Sequence, residues 1–114
     1  MDRMAESERK MFELNIRCLT KIWANRFSEP NVVSGVAKLE RAWGQCCPSM
    51  RTIEYDPNLM RAPEELRVYV VIHELCHLKV DNHGKRFKAL MDSRLPNWRM
   101  LKHRLNTEVP YYPE

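Results

Sequence analysis

One apolar segment of this chain carries two histidines and a glutamate, and it constrains the fold more than any other stretch. If this segment is a helix, His73 and His77 lie one turn apart on one face, and Glu74 lies at the rim of that face. The aliphatic neighbours predict that the helix is buried. Two imidazoles and a carboxylate would then lack partners unless something held them, and a metal ion is the simplest partner. The alternatives, ordinary core histidines or a solvated polar face, are disfavoured by these flanks.

A third metal ligand has to come from outside this helix, because one helix cannot surround an ion. His83 fits, since residues 80–82 offer a place for the helix to end and Gly84 permits a sharp bend. Three neutral imidazoles and a water form a four-coordinate zinc site with an exchangeable position, which is the pattern of a catalytic site. The sequence therefore predicts Zn²⁺ bound by His73, His77 and His83, with Glu74 placed to polarise the water.

Length and composition predict one cytoplasmic domain. The 114 residues suffice for a single core, 44% are hydrophobic and 30% are charged. No apolar run approaches the ~20 residues of a membrane span, so we expect no membrane partner. The charged N-terminus has no apolar core of a secretory signal. The four cysteines show no CxxC spacing and suit a reducing compartment: Cys18, Cys46, Cys47 and Cys76.

Hydrophobic periodicity predicts an α+β fold in which an N-terminal helix and a short antiparallel β-sheet pack on the central histidine-bearing helix, followed by short C-terminal helices. The sheet is expected to contain a strand within 31–39 and a hairpin of 39–43 with 51–55, joined by a loop at 46–49. The single domain of 1–114 then divides into four parts: the helix 5–27, the sheet 31–55, the metal-binding helical part 63–105 and an irregular tail 106–114.

The helical part is predicted in three pieces. The central helix begins at Pro63, which suits a first helical position, and runs to about Lys79. A shorter helix follows His83 and ends before Pro96. A last helix covers about 98–105. In the middle piece, Phe87 and Leu90 are expected to be core residues that brace the loop carrying His83.

Positive charge is concentrated in the segment 85–104, which has a single acid, Asp92. This segment predicts a possible contact with nucleic acid or an acidic protein. A solvated helical face is the alternative, because no row of aromatic residues is interleaved with the charges. The seven bases are Lys85, Arg86, Lys88, Arg94, Arg99, Lys102 and Arg104.

The remaining candidates have weaker patterns. Cys46 and Cys47 could bind a second metal with outside ligands, but structural zinc sites need paired cysteine spacings. Cys76 is expected to be a small buried hydrophobic residue, although a place near the metal is the alternative. No spacing identifies a donor for a tetrahedral oxyanion, and four residues stay open for that role: Arg41, His103, Tyr111 and Tyr112.

Several segments together resemble the YgjP-like metallopeptidase family, which is related to the SprT-like proteases. The segments are residues 41–46, 73–78, 82–83 and 95–98, and the resemblance covers about 39–105. It implies a small zincin-like domain in which His73, His77 and His83 bind zinc and Glu74 is the general base. The family usually has Arg-Trp-Gly-Ser-Cys before the helix, whereas here Ala42 follows Arg41 and Gln45 replaces the serine. These departures fall near the substrate groove and leave the metal site intact.

Three functions follow as hypotheses. The first is a zinc metallopeptidase that hydrolyses a peptide or protein through an activated water, with the substrate added as a strand along a sheet edge near Trp43 and Gly44. The second is a non-enzymatic, zinc-stabilised module that binds nucleic acid or protein through the basic C-terminal helices. The third is a zinc hydrolase with a substrate that is not a protein.

Overall fold

The computed structural model describes the backbone of residues 3–109 and the side chains of residues 6–109. It has four α-helices, three β-strands and one 3₁₀ turn, so the α+β class and the N-terminal helix are confirmed. In chain order the elements are α1 (Arg3–Arg26), β1 (Val33–Val36), β2 (Gly44–Cys47), β3 (Thr52–Tyr55), the 3₁₀ turn Pro57–Arg61, α2 (Glu64–His77), α3 (Lys85–Arg94) and α4 (Trp98–Glu108).

The sheet is mixed, which corrects the prediction of a purely antiparallel sheet. Its order is β1-β3-β2, with β3 parallel to β1 and antiparallel to β2. The predicted strand 39–43 is also wrong, because the strand lies at 44–47, partly inside the predicted loop. Arg41 has a left-handed backbone (φ 58°) that interrupts an extended conformation before that point. The hairpin closes instead through a turn at 48–51, in which the Met50 and Arg51 amides donate to Cys47 and Pro48.

Helix α1 packs against the sheet and α2, as predicted, but the apolar residues Met11, Leu14 and Ile22, which its pattern assigns to the inner face, are exposed. Its inner face buries Phe12, Ile16 and Leu19. The Thr20 hydroxyl donates to the Ile16 carbonyl (2.7 Å) and lies 2.8 Å from the Tyr55 hydroxyl, which joins α1 to β3. This contact satisfies a tyrosine hydroxyl in the core, where an unpaired one would be costly.

Helix α2 is the centre of the core and contacts α1, β2, α3 and α4. It begins after Pro63, which has an extended backbone, and Glu64 and Glu65 occupy the first turn. The predicted burial is confirmed, and the buried residues of α2 are Leu66, Tyr69, Val70, Val71, Ile72, Glu74, Leu75 and Cys76. The helix ends at His77, two residues before the predicted Lys79, and continues as hydrogen-bonded turns to Val80.

The C-terminal helix is longer than predicted. Residues 106–108, expected to begin an irregular tail, continue α4, since Arg104 pairs with Glu108 one turn later and Leu105 is buried. The rest of the predicted tail from residue 110 onward lies outside the described residues. In the described part of the chain, no helix has the length and apolar character needed to cross a bilayer.

Candidate metal centre

Three imidazoles from two elements meet at one end of α2. His73 and His77 are one turn apart on that helix, and His83 lies in the loop between α2 and α3. The ring centroids are 4.9 Å (His73–His77), 5.3 Å (His73–His83) and 4.7 Å (His77–His83) apart. One nitrogen from each ring lies within 4.8 Å of the others. The structure thus brings together the three residues that the sequence predicts as ligands; their role as ligands stays a prediction.

The loop between the helices orients two of these rings. The Nδ1–H group of His77 donates to the Val80 carbonyl (3.0 Å), so Nε2 carries the lone pair. The His83 Nε2 atom lies 3.0 Å from that nitrogen. Asn82 fixes the turn that follows, since its Oδ1 accepts from the Gly84 amide (2.9 Å).

The sequence predicts that Gly84 lets the backbone bend sharply, and the structure corrects this prediction. Its φ is −77°, which any residue can adopt, so the chain does not use glycine's freedom to bend sharply. A Cβ at this position would lie 2.9 Å from Asn82 Oδ1. The glycine is therefore needed for the close approach of the Asn82 amide.

Phe87 packs against all three imidazoles. Its ring stacks on His77 at 4.5 Å between centroids and meets His83 at 4.9 Å and His73 at 5.1 Å edge-on. The side chain is only 2% exposed. The prediction that Phe87 is a core residue beneath the His83 loop is confirmed, and the contacts show that it sets the positions of the rings as well.

Glu74 lies buried between His73 and strand β2, with 5% of the residue exposed. Its Oε2 lies 3.0 Å from His73 Nδ1. A carboxylate oxygen only accepts, so Nδ1 donates and the lone pair of His73 lies on Nε2. Glu74 is therefore beside the first of the three imidazoles and orients it.

A cleft of about 640 Å³ opens over these groups. Its walls come from β2 and the preceding loop, from α2 and from α4. Sequence reasoning missed the contribution of Tyr69, Lys102 and Asn106. For Tyr69 a signal existed, because it lies one turn before His73 on the same helix face. The lining residues are Ala42, Trp43, Gly44, Cys46, Pro48, Tyr69, Val70, His73, Glu74, His77, Asp81, His83, Lys102, Leu105 and Asn106.

Burial disfavours the charged forms of two ionisable groups in this cleft. It raises the pKa of the Cys46 thiol to about 12, with a further contribution from the charge of Glu74. It likewise raises the pKa of Tyr69, again with Glu74 adding to the effect. The pKa of His83 is lowered by burial and then by the neighbouring rings of His77 and His73. A neutral His83 can offer a lone pair to a cation.

The donor set fits a zinc ion. Around a tetrahedral zinc with Zn–N bonds of about 2.0–2.1 Å, ligand nitrogens lie roughly 3.3 Å apart. The 3.0 Å between the Nε2 atoms of His77 and His83 is close to that separation. Hydrogen bonds from Nδ1 leave the Nε2 lone pairs of His73 and His77 available, which is the partnership that supports imidazole ligands in zinc sites.

The cysteine candidates do not join the histidine cluster. Cys46 belongs to β2 and not to a loop, and Cys47 points to the opposite face, where its sulfur is 3.6 Å from the Ser49 hydroxyl. In residues 3–109 the histidine triad is the one cluster of three or more metal-ligating side chains, and Cys46 and Cys47 do not belong to it. Cys76 is fully buried beside Arg94 (3.8 Å), which confirms its reading as a small hydrophobic residue.

Of the four proposed oxyanion donors, the two that the structure describes do not lie over the site. Arg41 and His103 do not line the cleft. Tyr111 and Tyr112 lie outside the described residues.

Several bases of the segment 85–104 are engaged within the chain. Arg94 lies over the Phe27 ring at 4.2 Å, and Arg99 pairs with Asp92 (2.7 Å). Arg104 pairs with Glu65 and Glu108. These contacts stabilise the packing of α3 and α4 and leave fewer charges for an outside partner.

Comparisons with known proteins identify a family and similar folds. The family model of the YgjP-like metallopeptidase domain matches residues 1–108. The crystal structure of the metallopeptidase zymogen of Pyrococcus abyssi abylysin aligns with a TM-score of 0.73 at 22% identity, over 82% of this chain and 93% of that chain. The metallopeptidase zymogen of Methanocaldococcus jannaschii jannalysin aligns at 0.70 and 15% identity, over 82% and 95%. A search of curated protein sequences found no match.

Proposed function

The chain belongs to the YgjP-like family of metallopeptidase domains, and from this premise we propose that it cleaves peptide bonds with Zn²⁺ held by His73, His77 and His83 and with Glu74 as general base. One observation carries the proposal: the ligand nitrogens of three imidazoles converge within 4.8 Å of one another, and a buried carboxylate lies 3.0 Å from one of these rings. Ordinary core histidines do not need to share one centre.

Each residue has a distinct task in this proposal. The cation, when bound, lowers the pKa of a water and polarises the scissile carbonyl. Glu74 accepts the proton of the attacking water on Oε1 and later delivers it to the leaving amine. Its Oε2 keeps the bond from His73 Nδ1, which holds the carboxylate in place through both transfers. Phe87 keeps the three rings in register from below.

We propose that the substrate binds in an extended form along β2. Among residues 3–109 this strand is at the edge of the sheet, because its one neighbour there is β3. Gly44 and Cys46 of β2 line the cleft that contains Glu74. A peptide that pairs with this edge would run past the carboxylate and the imidazoles, and backbone hydrogen bonds would provide much of its affinity.

A reducing, cytoplasmic location remains part of the proposal, supported by four free thiols. Binding of nucleic acid through 85–104 and hydrolysis of a substrate that is not a protein stay predictions from the sequence. The internal pairing of Arg94, Arg99 and Arg104 gives the nucleic-acid alternative no added support.

The test is cleavage of an unfolded protein by the zinc-loaded chain and its Glu74→Gln variant. Loss of the general base is expected to lower kcat about 10²- to 10⁴-fold while the zinc content stays the same. A chelator should abolish cleavage by the unsubstituted chain, and added zinc should restore it. Equal rates for both proteins would contradict the role of Glu74. Absence of cleavage on every unfolded substrate would contradict the peptidase function of the isolated chain.

A further inference from the structure

The backbone of β2 passes unusually close to the side chain of Glu74. A Cβ atom built on Gly44 would lie 2.9 Å from Glu74 Cγ, 3.2 Å from Cδ and 3.2 Å from Oε2. Real Cβ atoms are essentially never found below 3.0 Å from a neighbour. Three consecutive atoms of Glu74 therefore occupy the space that a side chain at position 44 would need.

The register of the sheet explains why position 44 faces Glu74. Gly44 is opposite Tyr55 and Cys46 is opposite Ile53, and directly opposed residues point to the same face of a sheet. Tyr55 and Ile53 are fully buried. The absent side chain of Gly44 thus points inward toward α2, not along the free edge where a peptide would pair.

The backbone conformation itself does not require glycine at this position. No described glycine has a positive φ, so any residue could adopt the backbone of Gly44. The reason for glycine is space alone. Glu74 in turn has little room to yield, since it is buried and its Oε2 is bonded to His73.

We infer that Gly44 is a positioning residue for Glu74: by lacking a side chain, it lets the carboxylate lie against β2 beside His73. The inference rests on the proposed role of Glu74 as general base. It assigns to this glycine a role in proton transfer, whereas its place on an edge strand alone would assign it to substrate binding.

Kinetics of Gly44→Ala separate these two roles. A misplacement of about 1 Å can cost roughly 10²-fold in rate, so kcat should fall by about that factor. KM should stay within about twofold and zinc content should be unchanged, because the three imidazoles and the outer edge of β2 keep their places. The matched control is Gly35→Ala in β1, where an added Cβ would have no neighbour within 4 Å; its kcat and KM should equal those of the unsubstituted chain. A rise in KM with unchanged kcat would overturn the inference.

A second experiment needs neither activity nor metal. The melting temperature is measured for the metal-free chain, Gly44→Ala, Glu74→Ala and the double variant. Gly44→Ala should lower the melting temperature of the unsubstituted chain but not of Glu74→Ala, because truncation of Glu74 removes the three crowded atoms. Equal decreases in both backgrounds would show that the clash is not with Glu74 and would overturn the inference. If the unsubstituted chain proves inactive, the proposed function fails while this cycle still decides the steric claim.

Discussion

The Nε2 atoms of His77 and His83 lie 3.0 Å apart although the two residues belong to different elements, a helix end and the loop that follows it. The Val80 carbonyl takes the Nδ1 proton of His77, so the lone pair of its Nε2 points at His83. In the metal-free chain His83 Nε2–H can donate to this lone pair, and in the proposed site a cation takes the place of that proton. The loop of residues 78–84 is thus part of the site and not a simple connection.

Replacement of His83 by alanine should weaken zinc binding more than about 100-fold. Loss of a residue that hydrogen-bonds to a metal ligand already lowers metal affinity about 10- to 100-fold, and loss of the ligand itself lowers the affinity further. The measurement is a competition titration against a chromophoric chelator. The matched control is His103→Ala on α4, an exposed residue that does not line the cleft, and its affinity should be unchanged. Similar affinities for all three proteins would remove His83 from the ligand set.

Zinc should stabilise the folded chain by mass action, because the converged imidazoles exist only in the native state. At a free zinc concentration of 100 times Kd the free energy of unfolding should rise by about 2.7 kcal/mol. Thermal unfolding with and without a chelator measures this change. The His83→Ala variant should show little of it, and an equal shift in that variant would indicate binding elsewhere.

Phe87→Ala should lower the free energy of unfolding by about 3–5 kcal/mol, since a fully buried aromatic ring leaves a cavity. The cavity would lie under all three imidazoles, so zinc affinity should fall as well. Urea denaturation and the chelator competition measure the two effects. Met100→Ala serves as control, since this α4 side chain is 53% exposed and its loss should cost less than about 0.5 kcal/mol. A loss of stability without any loss of affinity would contradict the role given to Phe87.

Glu29 should make stability depend on pH in the acid range. Burial alone would raise its pKa, but the bonds from Arg51 (3.0 Å) and Lys79 (3.1 Å) hold the pKa below its ordinary value. The folded state therefore binds fewer protons at this site than the unfolded state. The contribution is present above the ordinary pKa of a glutamate and is lost as pH falls through the lowered value.

Urea titrations at pH 7 and in acid test this dependence with Glu29→Gln. The variant should be about 1–2 kcal/mol less stable at pH 7, a modest value because Arg51 and Lys79 are 37% and 49% exposed and solvent screens them. The difference should vanish at low pH. Glu54→Gln, at an exposed position of β3, should follow the unsubstituted chain at both pH values. A constant difference for Glu29→Gln would contradict the assigned pKa direction.

Features that depend on residues close together in the sequence could be predicted from the sequence alone. The spacing of His73 and His77 on a helix, the burial of α2 and the bracing role of Phe87 follow from helical periodicity, and all three features are present. The need for a third ligand outside the helix predicts His83, and the loop does bring its ring to the other two. Gly84 does not supply the sharp bend that the sequence predicts there.

Contacts between distant parts of the chain were not predictable in this way. The parallel pairing of β1 with β3 depends on how the chain crosses between these strands, and no short sequence pattern indicates that crossover. The approach of β2 to Glu74 and the entry of Lys102 into the cleft depend on how whole elements pack. The left-handed backbone of Arg41 interrupts the expected strand, and an arginine does not indicate that conformation in a sequence.

Anomalous diffraction at the zinc absorption edge, from crystals of the zinc-loaded chain, locates the metal itself. We expect one strong peak at about 2.0–2.1 Å from a nitrogen of each of His73, His77 and His83, with the Glu74 carboxylate beside it. A peak bound by only two of these rings, or a peak at Cys46 and Cys47 with none at the histidines, would contradict it.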